Sequence, residues 1–190
     1  MDSINFAPFP HLTTERLELR QIVTRDASDI YSLRSDERVM KFLDTPMLKT
    51  IEDSEQLIKT ITDGINNNES ITWAINQKND PTLIGTIGFW RIMEEHSRAE
   101  IGYLLHPDFQ GKGIMQEALE EVLDYGFRTL KLHSIEANAN PNNLASIKLL
   151  ERNRFVKEAH FKENYFFDGK FLDTAVYSLI NIEDSSRVPA

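Results

Sequence analysis

The sequence predicts a mixed α/β fold, with a largely antiparallel central sheet flanked by helices. Three observations point to it. Apolar residues alternate with polar ones in some segments and recur at helical spacing in others, and the two kinds are interleaved along the chain. Three strand-like stretches, 70–76, 82–93 and 98–105, follow one another across turns, which makes an antiparallel run in the middle of the chain. A long amphipathic helix, 112–130, comes after that run and opens on Gly111-Lys112-Gly113.

Taken in order, Arg16–Val23 (RLELRQIV) is a half-buried strand carried by Leu17, Leu19 and Ile22. Thr24 is placed to cap a helix starting near Arg25, with Asp26 favourable in its first turn. Ile30, Leu33, Val39, Phe42 and Leu43 supply the apolar positions of that helix and the turn after it. Thr50–Ile65 is a second helix, and Asn66-Asn67-Asn68 ends it. Ser70–Asn76 is a strand, Lys78–Pro81 a turn, and Thr82–Met93 and Arg98–Leu105 are strands joined by a hairpin loop at Glu94–Ser97. In the long helix Met115, Ala118, Leu119 and Val122 share one face. Ser134–Ala139 is a strand, Asn143–Arg152 a helix, Phe155–Phe161 a strand and Lys170–Ile182 the last strand. The whole reads as a single domain over 1–190, with a core of about 12–182 and short, loosely held termini.

Composition removes several classes of function. At 190 residues and 41% apolar content the chain can bury one real core, yet no stretch approaches the roughly 20 apolar residues of a membrane helix. The first twelve residues lack the basic and apolar regions of a secretory signal. Cysteine is absent, which excludes disulfides, a cysteine nucleophile and cysteine metal sites, and fits a cytoplasmic protein. His106 and His133 have no metal-ligand spacing, so no metal is expected. The formal net charge of −9 argues against a nucleic-acid partner and favours a cationic small partner over an anionic one.

The chemistry concentrates after Leu105. A strand ends there, His106–Phe109 turns, and Gln110-Gly111-Lys112-Gly113-Ile114-Met115 opens the long helix. A helix start presents unpaired N–H groups and about half a positive charge, and glycine lets a ligand approach the backbone. Together these make a diphosphate cradle. The run is not a Walker A loop, and Gln116 stands where a dinucleotide fingerprint needs its third glycine.

Gln110 and Gly113 match the Gln/Arg-x-x-Gly-x-Gly/Ala motif, and the segment resembles the GNAT acetyltransferase superfamily. Met115 departs from the small last residue of that motif. Downstream, Asn143, Ser146, Glu151 and Phe155 match the family's Asn-x-x-Ser-x-x-x-x-Glu-x-x-Gly-Phe segment, with Arg154 in the glycine position. Asn153 is expected to take over the left-handed helix exit there. Leu12–Arg20 (LTTERLELR) and Asn164–Leu179 resemble the branch containing the ribosomal-protein-alanine N-acetyltransferases, so the resemblance spans roughly 12–180.

What the resemblance implies is transfer of an acetyl group from acetyl-CoA to a primary amine, possible protein N-termini included, by direct attack on the thioester, in a protein that family habit makes a homodimer. The alternative is a non-catalytic acyl-CoA-binding or sensing module on the same fold, motivated by Met115 and Arg154. The resemblance makes Glu100 the general base, directly or through water; otherwise it is a solvent-facing strand carboxylate. Ser146 is the candidate acid near the thioester sulfur, or an ordinary helix-surface serine; Tyr165 and Tyr177 are alternative acids or, more in keeping with their setting, packing residues. Asn143 is a cofactor contact or simply an N-cap. Leu104 and Leu105 are implied to offer backbone groups to the pantetheine arm. Gln110, Gly111, Lys112, Gly113, Ile114 and Met115 form the cradle, where Lys112 is a phosphate contact or a solvated loop lysine.

Overall fold

The alternating segments of the sequence join into one eight-stranded sheet, in the order β1-β2-β3-β4-β5-β6-β8-β7. The computed structural model describes residues 4–181. The strands are β1 (Leu12–Thr13), β2 (Leu17–Gln21), β3 (Ile71–Gln77), β4 (Gly85–Met93), β5 (Arg98–Leu105), β6 (Ser134–Ala139), β7 (Val156–Phe167) and β8 (Lys170–Ile180). The helices are α1 (Ala27–Arg34), α2 (Glu37–Met40), α3 (Ile51–Asn66), α4 (Ile114–Asp124) and α5 (Leu144–Arg152). Every strand pairing is antiparallel except β5 with β6. The expected end of the last strand at Ile182, and the tail after it, lie outside the described residues, as do residues 1–3.

Strand alternation divides the core between the two faces of the sheet. On one face Trp73, Ile87, Phe89, Ile101 and Leu105 pack with Met115, Ala118, Leu119 and Val122 of α4 and Leu150 of α5. On the other, Ala74 and Leu104 pack with Ile22, Ile30, Leu33 and Ile58 from the α1 and α3 side. That second face is pinned by a buried bidentate pair, Arg20 to Asp26, with N···O distances of 2.8 and 2.9 Å. The parity of β5, open in the sequence, is thereby settled: Ala99, Ile101, Tyr103 and Leu105 face α4 and α5, whereas Glu100, Gly102 and Leu104 face the other way.

Several elements differ from the sequence reading, each for a local reason. Thr24 is not a cap. A 3₁₀ turn at Thr24–Asp26 precedes α1, and Asp26 folds back to accept the Val23 N–H at 2.9 Å. Thr50 does cap α3, in a capping box with Asp53. The long helix starts at Ile114 rather than Lys112, because Gly113 is left-handed at φ 76°. Its last turn, Tyr125–Thr129, is a π-helix in which Tyr125 packs edge-on against Trp73. Strand β7 runs to Phe167, well past Phe161, because the β7–β8 hairpin keeps pairing across a bulge.

The exit from α5 overturns the expectation for Asn153. Asn153 keeps φ −88°, and Arg154 itself adopts the left-handed conformation at φ 65°. Phe155 N–H then bonds Leu150 O and Arg154 N–H bonds Glu151 O, at 3.1 and 3.0 Å, which is a Schellman closure without glycine. Asn153 is held elsewhere. Its side-chain amide exchanges two hydrogen bonds with Gln116 of α4, at 2.9 and 3.0 Å, and so braces α5 against α4.

Candidate active site

The parallel pair β5–β6 is short. Arg98, Ala99 and Glu100 pair with Ser134, Ile135 and Glu136, and no further pairs form although both strands continue. Strand β6 stays with β8 as far as Ala139, and β5 stays with β4 as far as Leu105. The sheet therefore opens into a V immediately beyond Glu100.

Antiparallel geometry says which groups line the V. His106 N–H bonds Ile84 O at 2.8 Å, in register with the β4–β5 ladder, so the even residues of β5 direct their backbone groups to β4. The odd residues direct theirs to the open side. This corrects the expectation for Leu104, whose N–H and C=O face Thr86. Tyr103 and Leu105 are the residues whose N–H groups face the V. The Leu105 carbonyl there accepts from Gln110 Nε2 at 3.0 Å. The Gln110 side chain thus ties the turn to the end of β5.

Beyond that tie lies the start of α4, where a diphosphate cradle is expected. Gln110 N–H is already bonded to Pro107 O at 3.1 Å. Among the described residues, the N–H groups of 111–116 donate to no protein acceptor, while Glu117 N–H closes the first helical bond onto Gly113 O. Gly111 and Gly113 are both left-handed, at φ 71° and 76°. Lys112 is exposed, with Nζ 5.6 Å from the Phe109 ring centroid. Ile114 and Met115 bury their side chains in the core, so these two residues present only backbone at the helix start.

A clasp from the first loop holds this helix start. Glu117 accepts from the Thr14 hydroxyl, from Arg16 N–H at 2.8 Å and from Arg16 Nε at 2.6 Å, while Arg16 Nη1 bonds Lys112 O at 3.0 Å. Partial burial raises the Glu117 pKa, but these bonds outweigh it and hold the carboxyl below its ordinary value. A depressed folded-state pKa stabilises the protein above the unfolded value and loses that contribution as pH falls through the folded one. Glu117→Gln is therefore expected to lose about 1–2 kcal/mol at pH 7, with the deficit shrinking below roughly pH 4. Urea unfolding of both proteins across pH checks this; a deficit independent of pH would contradict it.

On the α4/α5 face, the Tyr103 hydroxyl lies 2.8 Å from Ser146 Oγ, bridging β5 to the first turn of α5. Burial pushes the Tyr103 pKa up to about 12, so this pair stays protonated at ordinary pH. Asn143 is the N-cap of α5, its Oδ1 accepting Ser146 N–H at 3.2 Å. The sequence reading did not single out Tyr103 and took Tyr165 and Tyr177 as the tyrosine options. The signal for Tyr103 was a hydroxyl at an apolar-parity position of β5. Tyr177 is buried in the core and Tyr165 lies on β7 beside Asn140.

Glu100 is 5% exposed and sits on the opposite face. Its carboxyl pKa is raised, chiefly by burial, against the lowering effects of the Asn138 amide and Arg91; Glu136 and Asp44 push it further up. Glu136 is itself ion-paired to Arg98 and accepts from Asn138 Nδ2 at 2.9 Å. Glu100 and Ser146 thus approach the V from opposite sides of the sheet. Among the described residues no cluster of His, Cys, Asp and Glu is arranged to hold a metal, and no helix is long and apolar enough to cross a membrane. A hollow of about 230 Å³ is lined by Asp29, Leu83, Ile84, His106 and Phe109.

Comparison with known proteins bears on the family and the fold. Residues 16–156 match the family model described as an acetyltransferase (GNAT) domain. The chain is 36% identical to the uncharacterised N-acetyltransferase YoaA of Bacillus subtilis (strain 168), over 90% of this chain and 97% of that protein. It is 30% identical to the spermidine N(1)-acetyltransferase of Vibrio cholerae, over 83% and 89% of the two chains. To the [ribosomal protein uS5]-alanine N-acetyltransferase of Escherichia coli (strain K12) it is 28% identical, over 90% and 91%. The crystal structure of a GNAT-family acetyltransferase from Bacillus anthracis superposes with a TM-score of 0.80 at 26% identity, covering 90% of this chain and 98% of that one.

Proposed function

The chain belongs to the GNAT acetyltransferase family and is an acetyl-CoA-dependent N-acetyltransferase, and from that premise we propose how its residues divide the reaction and which amine it takes. The diphosphate of acetyl-CoA lies against the N–H groups of 111–116, with Lys112 adding charge and the free Nδ2 of Asn143 a further donor. The pantetheine arm enters the V, and the N–H groups of Tyr103 and Leu105 hold the thioester oxygen as negative charge develops on it. The acceptor comes from the Glu100 face. Its nitrogen attacks the carbonyl carbon, its proton passes to the Glu100 carboxylate directly or through water, and the C–S bond breaks. The Tyr103–Ser146 pair donates to the leaving thiolate.

The observation that carries this reading is the V beginning one residue after a buried carboxylate, with unpartnered amides beyond its wide end. The acceptor is the amino group of a protein N-terminus, in line with the relative that acetylates a ribosomal-protein alanine. The acidic groups near Glu100, namely Asp44 and Glu136, and the spermidine-acetylating relative favour a polyamine as the second reading. The non-catalytic alternative loses its motive, because Met115 packs into the core and Arg154 closes α5 without glycine. The single sheet supports a single domain over the described residues, and the absence of cysteine fits a cytoplasmic setting.

The test is thiol release from acetyl-CoA with Ala- and Ser-initiated peptides, the same peptides N-acetylated, and spermidine. Turnover with free peptide amines, lost on N-acetylation, is expected. Turnover with spermidine alone would move the acceptor to the second reading. Absence of acetyl-CoA binding at high micromolar concentration would overturn the whole assignment.

A further inference from the structure

Three features meet on the acceptor side of the V and are not used by the mechanism above. Strand β4 bulges between Trp90 and Met93, and at that bulge Arg91 adopts the left-handed conformation at φ 50°. A non-glycine residue held there marks local strain, which collects at functional sites. The bulge turns the Arg91 guanidinium over the Trp90 ring, 4.3 Å from its centroid, and brings Nη1 to 3.4 Å from Glu100 Oε2. Trp90 is 43% exposed, and Arg91 is 65% exposed at its side chain. A large aromatic ring left in solvent beside a buried carboxylate is thus partly covered by a cation that, among the described residues, is anchored by that ring and that carboxylate.

We propose that Arg91 is the resident cation of the acceptor subsite, neutralising Glu100 in the free enzyme and sliding off along the Trp90 ring when an acceptor ammonium arrives. The geometry suits displacement. A single contact of 3.4 Å is looser than a bidentate pair, and an exposed arginine is weakly held. The other charged groups facing Glu100 do not supply the same service. Asp44, from the loop after α2, and Glu136, on β6, are both anionic; Asn138 on β6 is neutral; and Arg98 is taken by Glu136. Arg91 is the one cation, among the described residues, paired to Glu100. As resident cation it also sets specificity. A monocationic acceptor replaces it charge for charge, whereas a polycation must bring its further charges up against it.

This inference rests on the reading of Glu100 as the base, and the two are separable by experiment. The Glu100 carboxyl carbon is followed by NMR across pH in the free enzyme, assigned by its loss in Glu100→Gln. Arg91→Gln is expected to move that titration upward by about 0.5–1 unit, with Arg91→Lys restoring most of it. At 0.5 M salt the difference between wild type and Arg91→Gln is expected to shrink. Above the titration, Arg91→Gln is expected to lower the acceptor KM about fivefold, the scale of one like charge near 4 Å in water, and to leave the acetyl-CoA Kd unchanged. Trp90→Leu, which keeps the charge and removes the stacking surface, is expected to move the titration less than Arg91→Gln does. An unmoved Glu100 titration in Arg91→Gln, or an acceptor KM that stays or rises, would overturn the proposal. Full turnover in Glu100→Gln would instead overturn the base assignment beneath it, whatever Arg91 does.

Discussion

Glu100→Gln is expected to lower kcat by about 10²- to 10⁴-fold, the usual scale for removing a positioned base, while leaving the Kd of acetyl-CoA within about twofold. Gln keeps the size of the side chain and an oxygen that accepts from Asn138, but it takes no proton. The carboxylate lies on the acceptor face, and the amides of 111–116 lie beyond the far end of β5, so cofactor affinity has no reason to follow. Equal losses in kcat and affinity would make Glu100 structural. Stability supplies an independent check with a definite sign. The folded-state pKa of Glu100 is raised, so its contribution is full below the unfolded value and is lost as pH rises through the folded one. At pH 7 the buried charge is a cost, and Glu100→Gln is expected to melt no lower than the wild type and somewhat higher. A gain in melting temperature alongside a collapse in turnover is the pattern of a group kept for chemistry.

Gly113→Val is expected to weaken acetyl-CoA binding about tenfold or more, because a side chain in the left-handed region costs roughly 1–2 kcal/mol and a branched one crowds the helix mouth. Even a single Cβ at Gly113 would lie 3.4 Å from Arg16 Nη2, so the new methyl groups press on the clasp as well. Gly111 sets a control. Nothing lies within 4 Å of a Cβ built there, so Gly111→Ala carries the backbone strain alone and is expected to lose less affinity. Calorimetric titration of both variants with acetyl-CoA and with CoA separates the two effects. Unchanged affinity in Gly113→Val would mean that this helix start is not where the diphosphate binds.

Much of this was readable from the chain. The apolar runs between turn signals gave β3 and β5 to within a residue and β4 to within three, although all three strands carry buried residues on both faces, so that strict alternation is missing. The left-handed turn into α4 was readable because glycine holds a left-handed φ cheaply, and two glycines fall at that one helix start. The V was not readable. It depends on β6 leaving β5 after three pairs to follow β8, a choice made by long-range packing that no local pattern encodes. The backbone parity of β5 was hidden for the same reason, and with it the exchange of Leu104 for Tyr103. Arg154 shows the converse failure. Asn is the better left-handed residue by local preference, but its side chain is held by Gln116, and the tertiary contact decides.

The two-faced arrangement at the V has a consequence for how such an enzyme diversifies. In the proposed mechanism the thioester donor is held by β5, the turn after it, α4 and α5, while the amine meets Glu100 from the side of β4 and the loop after α2. A graft of β4's bulge and the loop after α2 from another acetylating enzyme keeps Glu100 and leaves the donor half untouched. Acceptor preference can therefore drift, or be redesigned, as a separable module on a constant engine.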